Sequence, residues 1–225
     1  MKKVGMRILS VQERASRELI EAFNGIGTSV VSDNMERLYG SPNLSYPVQV
    51  RKRLVGSAFT VKTRPGDNLL IHKALGLMES GDVLVVDAGG DVTNALIGEI
   101  MMKMAIKKGV KGMVTNGAIR DSAAFKDSSF TVYAKGVTHV GPYKDGPGEI
   151  NVPINIDGMV VNPGDIILGD DDGVIAIPLN QASELLRLSK EKADKEQISM
   201  QQIEDGTYYH GWVDKILISK GYDLA

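Results

Sequence analysis

The chain has 225 residues, 43% of them hydrophobic and 24% charged, with a net charge of −2 at pH 7. That composition builds an ordinary core and lacks the Lys/Arg excess of a domain that grips nucleic acid. Cysteine is absent, which excludes a disulfide frame, a thiolate nucleophile and a Cys-based zinc site. No run reaches the roughly 18 apolar residues that span a bilayer, and MKKVGMRILSVQERAS becomes charged too early for a signal peptide. A cytoplasmic protein with neither membrane nor nucleic-acid partner is the expectation.

Residues 16–24 and 29–39 read as short helices, with Leu19, Ile20 and Phe23 at helical spacing and Ser32-Asp33 as a cap for the second. GSPNLSYPVQV (40–50) reads as a loop. VGSAFTV (55–61) reads as a strand, TRPGDN as a turn, and residues 68–78 as a helix. Asp82 to Val86 is a continuous apolar run, the pattern of a strand buried on both faces. Ile97, Ile100, Met101, Met104 and Ala105 would then form one face of a helix that ends at Gly109, and residues 112–115 a second parallel strand. After Phe125 short β-rich runs follow, FTVYA (130–134), THVG (138–141), INVPINI (150–156), MVVNPGDIILGD (159–170) and GVIAIP (173–178), spaced by turn residues as in a small barrel or sandwich. Residues 179–203 are helical and charged, and residues 208–225 hold the single tryptophan, Trp212. No repeat or linker divides the chain, so one domain over 1–225 is expected, with a helical extension from about 180.

The strand–turn–helix–strand order over 81–121 places Arg120 and Asp121 at the carboxyl edge of a parallel βαβ unit, where ligands bind in open α/β sheets. An arginine fork suits a carboxylate, and a lone aspartate can anchor a hydrated Mg²⁺; the bland alternative is a surface salt bridge. If the helix begins near Gly98, the first-turn amides of Gly98, Glu99, Ile100 and Met101 are open to an anion; if it begins near Asn94 they are consumed internally. Glu99 either orients a metal-bound water or is a solvated helix-face glutamate. GDDDG (169–173) reads as a turn between strands more readily than as a metal cluster. His72, His139 and His210 show no zinc spacing, and no GxSxG, P-loop or GxGxxG follows a strand.

GDNLLIHKAL (66–75), GDVLVVDAGGD (81–91), ALIGEI (95–100), GVKGMVTNGAIRD (109–121) and VNPGDIILGDDDGVIAIP (161–178) together resemble the RNase E regulator-like family that includes the 4-hydroxy-4-methyl-2-oxoglutarate / 4-carboxy-4-hydroxy-2-oxoadipate aldolases. The resemblance implies an α/β swivelling α/β/β-type layered fold, with a central β-rich core and flanking helices, assembled as a homotrimer or homohexamer. It implies a lyase acting on a small anionic 2-oxo acid with Mg²⁺, Mn²⁺ or another divalent metal, through a pyruvate enolate, with oxaloacetate decarboxylation as a side activity. The positions matching Gly98 to Met101 would hold the pyruvyl carboxylate, Arg120 the substrate, and Asp121 the metal. Glu99 would orient a water, and Glu196 would be the acid contributed by a neighbouring subunit. Two features depart from the aldolase pattern: position 99 is Glu rather than Asp, and SAAF follows Arg-Asp where an acid often stands. Family members that only regulate the ribonuclease lack the aspartate after the arginine, and this chain keeps Asp121. The alternative is a non-catalytic ring-shaped regulator.

Overall fold

The computed structural model describes residues 3–41, 44 and 53–224. The elements run α1 (Arg17–Ala22), α2 (Thr28–Asp33), β1 (Gly40–Ser41), β2 (Leu54–Thr63), α3 (Leu69–Leu77), β3 (Asp82–Asp87), β4 (Ala95–Ile97), α4 (Glu99–Lys107), β5 (Gly112–Ile119), α5 (Ser122–Lys126) and β6 (Thr131–Val137). Then come β7 (Gly148–Ile150), β8 (Ile154–Ile156), β9 (Met159–Val161), β10 (Ile166–Asp170), β11 (Gly173–Ile177), a 3₁₀ turn at Leu179–Gln181, α6 (Ala182–Glu204) and α7 (Gly211–Ser219). Most of the 40–50 loop expected from sequence lies outside the described residues.

One mixed sheet organises the chain, with strands in the order β1-β11-β10-β2-β3-β5-β4, β6 along β5 and β7 on β2. β2, β3, β5 and β6 are parallel, and β10 and β11 add antiparallel strands beside β2. The late β-rich runs therefore extend the same sheet instead of building the expected small barrel or sandwich: β6 pairs in parallel with β5, among the described residues only β8 and β9 form a hairpin apart, and THVG is loop. A period of two explains the layering. Leu84 and Val86 of β3 face a core shared with Ile71, Leu75, Met101 and Phe125 from the helices, whereas Val83 and Val85 face Ile154, Ile156 and Met159 of the hairpin. A third cluster seats α1, α2 and the start of α6 on β10 and β11 through Phe23, Val31, Leu168, Ile175 and Leu185.

Three expectations are corrected. α2 starts at Thr28 behind Gly27, and Ser32 and Asp33 lie at its end, because the chain turns left-handed at Glu36 (φ 53°) and Arg37 (φ 63°). Ile97 belongs to a strand. The inward face of α4 is Met101, Met102 and Ala105, while Ile100 (76% exposed) and Met104 (49%) point outward. With the helix phased from residue 99, positions 100 and 104 lie one turn apart on the far side.

The segment after β6 is tied down by one carboxylate. Asp67, fully buried, accepts N–H bonds from Leu69 (2.9 Å), Asp145 (2.7 Å) and Gly146 (2.9 Å). Burial pushes this carboxyl up, but the three amides and the Arg64 guanidinium outweigh that and leave it below the usual aspartate range. A carboxyl lowered by folding stabilises fully above its unfolded value, near 4, and loses that contribution as pH falls through the folded value. Asp67→Ala should therefore cost about 3 kcal/mol at neutral pH, the scale of stranding buried donors. The gap between variant and parent in urea midpoint should narrow below about pH 4; equal midpoints at pH 7 would refute this role.

Candidate active site

The helix-start question left open by the apolar pattern is decided by Gly98. Its backbone is extended (φ −136°, ψ −167°), and α4 begins at Glu99. β4, Ala95–Ile97, occupies the stretch that the alternative gave to an earlier helical turn. β4 pairs with the end of β5 at Ala118 and Ile119, and Gly117 makes the approach possible: a Cβ there would lie 2.6 Å from Leu96 Cδ1. Met102 N–H makes the first bond within the helix, to Gly98 O (3.0 Å). The Glu99 N–H donates to Asp121 Oδ2 (3.0 Å), and the N–H groups of Ile100 and Met101 are left as open first-turn donors.

Asp121 follows β5 in the left-handed region (φ 57°) at the N-cap position of α5, with no side-chain bond to that helix. That backbone swings its carboxylate over Gly98 to the α4 N-terminus, where the helix dipole favours negative charge. Arg120 Nε lies 3.7 Å from Asp121 Oδ2, and both side chains are about half-exposed. Gly98 cannot be anything larger without displacement, since a Cβ would stand 2.4 Å from Asp121 Oδ2 and 3.0 Å from Arg120 Nε. Glu99 projects beside Asp121 with its carboxylate on Lys103 Nζ (2.6 Å), one turn along the helix.

Arg120 forms a wall between two cavities. One, about 290 Å³, is lined by Asn68, His72, Gly98, Met101, Arg120 and Lys144 among others. The second, wider and more open, is lined by Glu99, Arg120, Asp121 and His139. The structure thus brings together Gly98, Glu99, Ile100, Met101, Arg120 and Asp121. Glu196, exposed on the outer half of α6, lines neither cavity. Asn68 and Lys144 are not singled out from sequence, and His72 and His139 are weighed there only as zinc ligands and set aside. Asn68 donates to Leu96 O (2.9 Å) and Met101 Sδ (3.4 Å), holding the start of α3 against β4 and α4. Lys144 stands as the single cation in the Gly/Pro-rich run GPYKDGP, a loop composition that places rather than packs a side chain.

The donor set fits a hydrated hard cation. Two partly exposed carboxylates supply oxygen only, and no group of three metal-ligating side chains occurs among the described residues. That is too few for an all-protein cage and suits Mg²⁺, which keeps most of its waters. Asp121, whose Oδ2 accepts the Glu99 N–H, is the residue that would hold such an ion. The GDDDG turn serves structure: Asp170 accepts from Thr28 N–H (2.8 Å) and from Asp172 N–H (3.1 Å).

Residues 28–176 match the family model described as RraA-like, Aldolase/RraA. The chain belongs to this family. It is 38% identical over 192 residues, 85% of this chain and 91% of the relative, to a Halalkalibacterium halodurans protein named "Putative 4-hydroxy-4-methyl-2-oxoglutarate aldolase". The fold of an uncharacterized Pseudomonas syringae pv. tomato protein superposes with a TM-score of 0.78 at 24% identity, over 88% of this chain and 93% of that one. The RNA-processing inhibitor RraA from Thermus thermophilus superposes with a TM-score of 0.63 at 32% identity, over 68% and 92%. The α/β layered fold with a central sheet and flanking helices expected from the resemblance is the fold found. Among the described residues no helix is long and apolar enough to cross a membrane.

Proposed function

We propose that this RraA-like protein is a divalent-metal-dependent carbon–carbon lyase. It would cleave a 4-hydroxy-2-oxo acid of the 4-hydroxy-4-methyl-2-oxoglutarate type to pyruvate and a second oxo compound, and decarboxylate oxaloacetate as a side reaction. The observation that carries the reading is the Asp121 carboxylate lodged on the α4 N-terminus over Gly98, with the Arg120 guanidinium beside it.

Asp121 is the residue that would hold Mg²⁺ or Mn²⁺, which when bound polarises the 2-keto group. The open amides of Ile100 and Met101 fit the pyruvyl carboxylate. Arg120 would stand beside the 2-keto oxygen as it gains negative charge, and a preorganised cation there lowers the barrier more than it tightens substrate binding. Glu99 accepts the 4-hydroxyl proton through one water. The C3–C4 bond breaks, its electron pair forms the enolate, and the 4-carbon leaves as a carbonyl. Protonation at C3 gives pyruvate. Oxaloacetate loses CO₂ to the same enolate, so both reactions draw on one charge-stabilising arrangement. Glu196 would reach the site from a neighbouring copy in a homotrimer or homohexamer.

Pyruvate release from 4-hydroxy-4-methyl-2-oxoglutarate and from oxaloacetate should require Mg²⁺, fall to background with EDTA and return when Mg²⁺ is restored. The likeness to the inhibitor RraA supports a second reading, a ring-shaped regulator of a ribonuclease or other protein. Turnover of neither substrate, with partner binding indifferent to EDTA, would favour that one.

A further inference from the structure

A third cavity, about 210 Å³, opens at the opposite end of the parallel strands, with Arg53, Lys111, Ser129 and Thr131 on its walls. It lies between α1 and the starts of β2, β5 and β6. Lys111 stands just before β5 and Arg120 just after it. At about 3.3 Å per residue the two ends of that strand are roughly 30 Å apart, so this cavity is separate from the candidate active site.

The cations here are poorly satisfied. The Arg53 side chain is 23% exposed. Its Nη2 donates to Phe23 O (2.8 Å), Nη1 stands 3.9 Å from Asp170 Oδ2, and Nε is buried with no hydrogen-bond partner. Asp170 is meanwhile engaged by the Thr28 N–H and hydroxyl and by the Asp172 N–H. Burial holds the Arg53 guanidinium below the ordinary arginine range, against the pull of Asp170 and Tyr133, as in a cation short of counter-charge. Lys111 is exposed, and among the described residues its ammonium has no hydrogen-bond or ion-pair partner. Its backbone is fixed, with the N–H on Asp82 O (2.9 Å). The one acid on the rim, Glu21, accepts from Asn24 Nδ2 (3.2 Å) and pairs with neither cation.

We propose that this cavity is a second ligand site, which takes the phosphoryl head of a small phosphate monoester. A guanidinium and an ammonium on separate walls suit a tetrahedral dianion, whose charge is spread over three oxygens, better than a planar carboxylate with a single charge. The volume is below that of sites that enclose a whole metabolite, so the head enters and the ester tail stays in solvent. The inference goes beyond the lyase reading and needs neither the metal nor Arg120.

The test is calorimetric titration of the metal-free protein with methyl phosphate, and with acetate as the carboxylate comparison. Two charge-assisted hydrogen bonds correspond to a Kd of about 1 mM or tighter for methyl phosphate. Acetate should bind at least about tenfold more weakly. Lys111→Met should weaken methyl phosphate at least about tenfold, and Lys111→Arg should keep it within about threefold. Lys111 is the residue to change because it is exposed, whereas Arg53 also holds Phe23 O. Arg120→Met, at the far end of β5, should leave the affinity within about twofold. The site is overturned by a parent that binds no methyl phosphate at about 10 mM, by parental affinity in Lys111→Met, or by acetate binding equally well. Loss of binding in Arg120→Met would also overturn it, by placing the phosphate in the candidate active site. None of these readouts involves turnover, so failure here is distinct from failure of the lyase reading.

Discussion

Asp121→Asn should release pyruvate about 10³-fold more slowly than the parent, or not at all, at saturating Mg²⁺. The amide is nearly isosteric and tolerates the left-handed backbone at this position, which alanine tolerates less well. It still offers an oxygen to the Glu99 N–H, so α4 keeps its start. What it lacks is the negative charge, and with it the proposed anchor for a divalent ion. The side chain is 45% exposed, and exposed substitutions of this kind shift stability by about 0.5 kcal/mol or less. A thermal melt within a few degrees of the parent would accompany the loss of activity. Oxaloacetate and 4-hydroxy-4-methyl-2-oxoglutarate should lose rate together, since the enolate is common to both. Activity within about tenfold of the parent would remove Asp121 from the chemistry.

The placement of Arg120 and Asp121 was readable because it depends on chain order alone. An apolar strand, a turn, an amphipathic helix and a second apolar strand force the end of that strand to the ligand-binding edge. The exact start of α4 was not. ALI followed by GEIMMKMA is apolar at both strand and helix spacing, and a three-residue strand is too short to show a period. Tertiary pairing with Ala118 and Ile119 decides it, and with it the rotation of the helix, which is why Ile100 was expected inside and lies outside. The late strands are legible nearly in place, but their spacing reads as a small barrel or sandwich. Local turn signals mark where strands stop and say little about which partner they take, and β10 finds the open side of β2 more than a hundred residues away. The meeting of Lys144 with His72 was illegible for a related reason. The smaller cavity beside Arg120 belongs to the folded edge, where residues 68–72, 120 and 141–144 meet, and no window of sequence contains it.

Gly98→Ala is the second large effect, and it separates geometry from chemistry. Every candidate ligand and base stays in the chain: Glu99, Arg120, Asp121 and the α4 amides. The backbone at residue 98 lies in the extended region that alanine adopts freely, so the substitution carries no backbone strain of its own. Its methyl, however, would stand 2.4 Å from Asp121 Oδ2 and 3.0 Å from Arg120 Cγ and Nε. Both contacts are with side chains, and both side chains can rotate toward solvent. The fold should therefore survive with a melting temperature within about 5 °C of the parent, while Asp121 leaves the helix N-terminus and Arg120 loses its station between the cavities. A displacement of about 1 Å is enough to cost about 10²-fold in rate. The expected result is a loss of that size or more in kcat/KM for both substrates, with a higher Mg²⁺ concentration needed for half-maximal rate, because the ion's anchor has moved. A Gly98→Ala protein with parental rate and parental Mg²⁺ requirement would show that the carboxylate need not sit over the start of α4, and the structural basis of the lyase reading would go with it. Unfolding of the variant would instead mean that the side chains cannot yield and that the Arg-Asp pair is part of the core's packing as well as its chemistry.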